Sequence, residues 1–292
     1  MDASIDNDRG AAGRFGRPLF EDASARALSR VGVVDVGSNS VRLVIFDGAA
    51  RSPAYYYNEK IMCALGADLK KTGRLKPKGR KRALAAIKRF QLLAAGMGLA
   101  PLAAVATAAV REARDGSEFC AQVRRETGLR LRVIDALDEA RLAAQGVLLG
   151  WPGARGLVCD MGGASMELAE VADGKVGARA TSPLGPLKLQ ALKGGPTHLR
   201  AHIRAEVERL ADEIGREQRQ LFLVGGSWRA IARLDMERRK YPLHVLHEYR
   251  MTPDGLRATL KWIAASDLKM LRARTGISQG RMLLVPEAAA VL

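Results

Sequence analysis

Cysteine, histidine and aromatic side chains are all scarce in this chain of 292 residues. Cys63, Cys120 and Cys159 stand far apart, with no Cys-x-x-Cys spacing. That argues against a disulfide framework or a structural zinc site and suits a reducing cytoplasm. Among the four histidines, His198 and His202 are spaced i, i+4, and His244 and His247 lie close together. Neither pair has an HExxH-type glutamate or a nearby cysteine, so no zinc site is expected. Aromatics make up 5% of the chain, too few to interleave with basic residues as stacking platforms for single strands. Without zinc-finger spacing or an RNA-binding sheet motif, nucleic acid is not an expected partner. No apolar run approaches the roughly 18 residues of a membrane helix. The N-terminus, MDASIDNDRGAAGRFGRPLF, opens with acidic residues rather than a basic region and an apolar core, so it does not read as a signal peptide. Residues 1–28 are expected to be a disordered tail.

What is present is positive charge: 47 Lys and Arg against 31 Asp and Glu, a net +16. Such a field favours polyanionic partners. Part of the excess is local, since Lys70–Phe90 carries ten basic residues and no acidic one. By itself that stretch reads as a solvated loop and helix face. With 48% hydrophobic residues, the chain is long enough for one or two globular domains.

The segment VGVVDVGSNSVRLVIFDG, from Val31 to Gly48, places two apolar runs around a small polar break. Val31–Gly37 and Val41–Asp47 read as strands. Helices are expected over Arg80–Met97, Ser117–Gly128 and Asp138–Leu149, with strands at Leu102–Thr107 and Leu131–Ile134. WPGARG, at Trp151–Gly156, reads as a linker, after which the pattern restarts. Strands Leu157–Met161 and Met166–Val171 flank GGAS; helices over about 199–218, a strand at Leu221–Gly226 and further helices follow. Asp35–Val36–Gly37–Ser38 thus recurs as Asp160–Met161–Gly162–Gly163, 125 residues later. A duplicated pair of such hairpins, each opening half of the chain, points to two related domains, 29–150 and 151–292, facing one cleft.

A Gly- and Ser-rich turn between strands lets backbone N–H groups converge on a phosphate oxygen. The aspartate at each strand end cannot bind phosphate itself, but it can hold a divalent cation that does, or position water. Two facing hairpins could then grip adjacent phosphates of one chain.

VVDVGSNSVRLVIFDG, VATAAVREARDGSEF, VIDALDEARLAAQGV, VCDMGGASMELAEV and LVGGSWRAIARL occur in the order and spacing of the exopolyphosphatase/guanosine pentaphosphate phosphohydrolase (Ppx/GppA) family, from about Val31 to the C-terminus. The resemblance implies an α/β fold of two similar actin/Hsp70/sugar-kinase-like (ribonuclease H-like) domains around a central cleft. It implies a hydrolase that removes terminal phosphate from inorganic polyphosphate, or converts pppGpp to ppGpp, with Mg²⁺ or Mn²⁺. Gly37, Ser38, Asn39, Ser40 and Arg42 would form the first phosphate loop, and Gly162, Gly163, Ala164 and Ser165 the second. Thr107 and Arg111 would lie beside the transferred phosphate. Glu139 would orient or deprotonate the attacking water, with Glu167 assisting, and Asp160 and Asp35 would hold the metal.

The chain departs from the family pattern in places. It reads Asp135-Ala136-Leu137-Asp138-Glu139, where a Gly is usual in the turn before the helix. Ala164 replaces the usual third Gly of the second loop, and Met166 the usual Thr. A Cβ at Ala164 and the lost hydroxyl at Met166 are expected to lower activity or shift the substrate. No extra C-terminal helical domain is expected after GISQGRMLLVPEAAAVL, and low or lost processivity is expected with it. The expected partner is inorganic polyphosphate or guanosine penta/tetraphosphate, with no membrane partner; monomer and homodimer both stay open. A non-catalytic polyphosphate or (p)ppGpp sensor is the alternative function. A kinase of the same fold would need an adenosine pocket, for which Gly225, Gly226 and Ser227 are the candidates.

Overall fold

The computed structural model describes residues 30–46, 55–99, 102–216 and 218–292. The expected tail over residues 1–28 and the strand end at Asp47 lie outside these residues. Strands β1 (Val31–Val36) and β2 (Ser40–Phe46) form an antiparallel pair about the first polar turn. Val34, Val36, Val41, Leu43 and Ile45, wholly buried, supply its core face, and burial of these β-branched and apolar side chains holds the hairpin. β3 (Tyr55–Met62) pairs antiparallel with β2. β4 (Ala103–Ala106) runs parallel to β1, and β5 (Arg132–Val133) parallel to β4. The sheet order is β3-β2-β1-β4-β5.

The second half repeats this plan. β6 (Gly156–Met161), β7 (Met166–Ala172) and β8 (Lys175–Ser182) form an antiparallel meander, and β9 (Leu221–Val224) runs parallel to β6, giving the order β8-β7-β6-β9. The duplication read from two hairpins is therefore a duplication of sheet topology. β3 and β8 are additions to the sequence reading. YYYNEKIM and KVGARATS lie at sheet edges with mostly exposed or half-exposed side chains, so they lack the apolar run that marks a buried strand.

Helices α1 (Leu69–Thr72), α2 (Pro77–Gly96), α3 (Ala108–Glu112) and α4 (Gly116–Thr127) belong to the first half. α2 buries Ala83, Leu84, Ile87 and Phe90 against the first core. Its basic stretch borrows acids from elsewhere. Lys76 meets Asp68, Arg80 meets Asp115 and Glu118, Lys88 meets Glu126 and Arg89 meets Glu59. The run of positive charge is thus partly neutralised by folding.

Helix α5 (Ala136–Gly150) packs on β6, β7 and β8. Ala140 and Ala144 join Val158, Ala169 and Val171 in one buried cluster. This helix thus packs with the second sheet although it precedes the expected break at 150/151. The remaining helices are α6 (Pro186–Gln190), α7 (Gly195–Ile214), α8 (Gly226–Arg239), α9 (Pro253–Ala264), α10 (Leu268–Thr275), α11 (Gln279–Met282) and α12 (Val285–Val291). They build the second core around Trp228, Ile231, Leu234 and Leu271. Among the described residues, no helix is long and apolar enough to cross a membrane.

Candidate active site

The carboxyl ends of the parallel strands of both sheets converge on one crevice, the position where open α/β sheets bind ligands. The two polar turns there are the same turn twice. Gly37 N–H donates to Ser40 O at 3.0 Å, and Gly162 N–H donates to Ser165 O at 3.0 Å. Those two N–H groups close their turns, so within each loop the donors open to a phosphate come from the residues that follow. The free donors follow from peptide geometry. Ser38 O accepts from Gly66 N–H, and Asn39 O from Cys63 and Ala64 N–H. In a trans peptide the next N–H points the opposite way, so Asn39 and Ser40 N–H face away from the 63–66 segment. Gly163 O likewise accepts from Leu187 N–H, which turns Ala164 N–H outward.

Thr107 begins α3 directly beside the first turn, its N–H donating to Val36 O at 3.2 Å. One turn on, Arg111 Nη1 donates to Ile134 O at 2.7 Å and lies 3.5 Å from Glu139 Oε2. Glu139 sits in the first turn of α5, where Asp135 caps the helix by accepting from Asp138 N–H at 2.7 Å. Ala136, at the position of the family's usual glycine, is the first residue of α5 and has no positive φ, so this turn does not need a glycine there.

Across β6 and β7, Asp160 pairs with Glu167; across β1 and β2, Asp35 pairs with Arg42. The four carboxylates sense one another. Burial pushes Glu139 up to about 7, with Asp160 and Asp35 adding to the rise and Arg111 opposing it. Burial, then Glu139, push Glu167 up to about 8, against the Ser165 hydroxyl and Arg111. Asp160 rises to about 6 through burial and Asp35, opposed by Arg229. Enclosure raises Asp35 as well, against Arg42 and Lys60, although the residue keeps contact with solvent. Carboxylates crowded into a crevice with perturbed pKa values mark a functional site.

Among the described residues, no three acidic, His or Cys side chains close into a ready metal cage. Glu139 Oε2 and Glu167 Oε1 are nevertheless buried without a hydrogen-bond partner. These carboxylate oxygens, that of Glu139 also facing Arg111, lie with Asp160 and Asp35, and the set fits a hard divalent cation of the magnesium type, which takes one or two carboxylates and completes its shell with water and substrate phosphate.

A match to the Ppx/GppA phosphatase family spans residues 44–292. The chain belongs to this family. The match starts beyond Arg42, so the first loop lies outside it, and the resemblance traced from Val31 is covered by the family only from residue 44. This Ppx/GppA protein is 34% identical over 163 residues to exopolyphosphatase 1 of Mycobacterium leprae, covering 55% of this chain and 48% of the relative. It is 31% identical over 174 residues to exopolyphosphatase 2 of Mycobacterium tuberculosis H37Rv, covering 56% and 54%. The chain spans about half the length of the curated relatives it matches. The crystal structure of an exopolyphosphatase from Cytophaga hutchinsonii superposes with a TM-score of 0.78 at 22% identity, covering 90% of this chain and 88% of that one. The Aquifex aeolicus Ppx/GppA family member superposes with a TM-score of 0.73 at 23% identity, covering 90% and 88%. The two-sheet architecture of the Ppx/GppA fold is therefore that of this protein.

The departures from the family pattern have structural accounts. Met166 is buried in the second core, so its side chain fills that core instead of facing a phosphate. Leu137 is exposed on the first turn of α5. Ala164 sits against Gly185, where any Cβ would come within 2.3 Å of the Ala164–Ser165 peptide.

The sequence reading missed Lys60, Arg229 and Arg281, which border the same crevice. Lys60 opposes Arg42 across β2 and β3, Arg229 Nε donates to Gly225 O at 3.2 Å, and the Arg281 guanidinium lies over Gly226. Lys60 alone could have been found, by extending the sheet one strand from Arg42. An open groove of about 830 Å³ lined by Lys88, Leu92, Leu99 and Arg125 holds none of these groups.

Proposed function

We propose that this protein hydrolyses the terminal phosphoanhydride of inorganic polyphosphate. The observation that supports this most is Glu139, a carboxylate raised to about 7 and held 3.5 Å from Arg111 at the crevice between the two duplicated turns. A base titrating near neutral pH is matched to taking a proton from water.

In this reading, the terminal phosphate rests on Asn39, Ser40 and Ala164 N–H, with the Ser38, Ser165 and Thr107 hydroxyls beside it. Glu139 accepts a proton as the water oxygen bonds to phosphorus. The bond from phosphorus to the bridging oxygen breaks, and that oxygen leaves as the new end of the shortened chain. Arg111 stabilises charge on the transferring oxygens, the main demand of phosphoryl transfer. Glu167, whose carboxyl is pushed up by burial and by Glu139, orients the water by hydrogen bonding. Asp160 and Asp35 would hold Mg²⁺ or Mn²⁺, which when bound supplies charge neutralisation to the phosphate oxygens. Hydrolysis of pppGpp to ppGpp is the same reaction on a shorter chain. The three free cysteines suit a reducing, cytoplasmic setting.

The kinase reading loses ground at its own candidate pocket. Gly225 lies against Met161 O and Asp160 Oδ1, and Arg281 occupies the space over Gly226, where adenosine would have to sit.

The test is phosphate release from long-chain polyphosphate and from pppGpp with Mg²⁺, comparing wild type with Glu139→Gln. Release that falls at least roughly a hundredfold in the variant supports the reading. Tight binding without release would leave the sensor.

A further inference from the structure

Glu112 and Lys188 meet with their charged atoms 4.0 Å apart. Glu112 is the last residue of α3, in the first half, and Lys188 lies in α6, in the second. Arg111, next to Glu112 in the chain, meets Glu139 of α5, the helix that packs on the second sheet. Among the described residues, these are the two ion pairs that link the first half to elements packed with the second sheet. Neighbouring residues of opposite sign on one short helix thus reach two separate elements, each through the matching charge. Both helices are held firmly by their own halves. α3 is pressed against α4 at Gly116, where a Cβ would run into Val110 O. α6 follows Gly185, which lies against the Ala164–Ser165 peptide, and Leu187 N–H donates to Gly163 O at 2.9 Å. At its other end, Gln190 Nε2 donates to Leu283 O at 2.5 Å and to Glu287 Oε2 at 3.1 Å. α6 is therefore the buttress of the second turn, while α3 carries Thr107 and Arg111.

One contact between two rigid bodies is a pivot, and a second contact fixes the angle between them. With Arg111 and Glu139 alone, α3 could swing about the proposed base. We propose that Glu112 and Lys188 are positioning residues: their ion pair holds α3, and with it Arg111, at the spacing from the Gly163–Ser165 turn that hydrolysis requires. This rests on the hydrolase reading above and adds what aligns its two sides. Neither side chain has to touch the substrate. The side chains of Lys188 and Glu112 are 41% and 42% exposed, so the pair contributes little to global stability. Its effect falls on alignment, to which the rate is far more sensitive, since a misplacement of about 1 Å can cost roughly a hundredfold.

The test compares wild type with Glu112→Gln, Lys188→Met, the two combined, Lys188→Glu, and Lys188→Glu combined with Glu112→Lys. Phosphate release from tripolyphosphate with Mg²⁺ gives kcat and KM, and thermal melting checks the fold. Each neutral variant is expected to lose about two- to fivefold in kcat, the worth of one half-exposed ion pair, with KM within about twofold of wild type. The combined neutral variant should lose no more than either alone, because the pair is already broken. Lys188→Glu brings like charges together and should lose about tenfold or more in kcat. Adding Glu112→Lys should restore kcat to within about threefold of wild type. A merely structural pair would move the melting temperature without kcat, and a substrate contact at Lys188 would move KM without rescue by the exchanged pair. Additive losses, an unchanged kcat, an effect confined to KM, or no rescue each overturn the proposal and leave the hydrolase standing. If wild type releases no phosphate at all, the hydrolase reading fails, and the bridge is judged by distance. Spin labels at Leu92→Cys on α2 and Val207→Cys on α7, with Cys120→Ser, should then show a longer or broader separation in Lys188→Glu that the exchanged pair reverses. An unchanged separation overturns the bridge as well.

Discussion

Arg111 Nη1 lies 3.5 Å from Glu139 Oε2 while donating to Ile134 O at 2.7 Å. One guanidinium thus ties α3 of the first sheet to the first turn of α5, the helix that packs on the second. It also lowers the carboxylate that burial, Asp160 and Asp35 raise. The same contact therefore positions the proposed base and tempers a basicity set mainly by burial.

Glu139→Gln keeps the shape of the side chain and removes its basicity. We expect kcat on polyphosphate to fall roughly 10²–10⁴-fold with substrate affinity retained, measured as phosphate release alongside calorimetric binding of tripolyphosphate. Unchanged turnover would assign the base elsewhere.

The rate should rise with pH along an acidic limb near 7, as Glu139 ionises. Arg111 favours the charged carboxylate, so its removal raises the pKa. In Arg111→Ala the limb of kcat/KM should move to higher pH, on top of an overall loss of activity. A limb that stays in place would show that another group titrates.

Glu139, Asp160 and Glu167 all have folded pKa values above those of free carboxylates. The folded state then binds more protons than the unfolded chain between about pH 4 and 8. Stability from these groups is fully present at the acidic end and is lost as pH rises through the folded values. The metal-free protein should therefore lose melting temperature across this window, and Glu167→Gln should flatten the decline. A steeper fall in that variant would contradict the assignment.

Gly225 has φ +109°, and a Cβ there would sit 2.7 Å from Met161 O and 3.0 Å from Asp160 Oδ1. Gly225→Ala should displace Asp160 and lower phosphate release and Mg²⁺ affinity together, whereas Gly174→Ala, at a turn with open space around it, should affect only stability. Titration of Mg²⁺ against activity separates the two.

Asp235 is wholly buried in the second core. Burial alone would raise its carboxyl, but hydrogen bonds from Thr259, Tyr249 and Arg238 hold it below the usual range. Asp235→Ala leaves Arg238 and Arg239 without their carboxylate and the Tyr249 hydroxyl without its acceptor, and should cost about 3–5 kcal/mol; Tyr249→Phe should cost about 1 kcal/mol. Denaturant unfolding measures both.

Local chemistry determined the parts of this protein that could be read without a structure. The hairpins around Gly37 and Gly162 were legible because each couples a short polar turn to strongly apolar strands, and that pattern occurs twice. Glu139 and Arg111 were legible only through ordered family motifs, since a glutamate and an arginine on helices are ordinary surface residues by themselves. Tertiary structure decided the rest. It recruited β3 and β8, edge strands whose polar faces need no apolar run, and it neutralised part of the basic stretch with acids such as Asp115 and Glu126. It placed α5 on the second sheet, and it gathered Lys60, Arg229 and Arg281 from segments far apart in the chain. Electrostatic energy depends on separation in space, so a crowd of like charges is invisible along a sequence and forms only when the two sheets face each other.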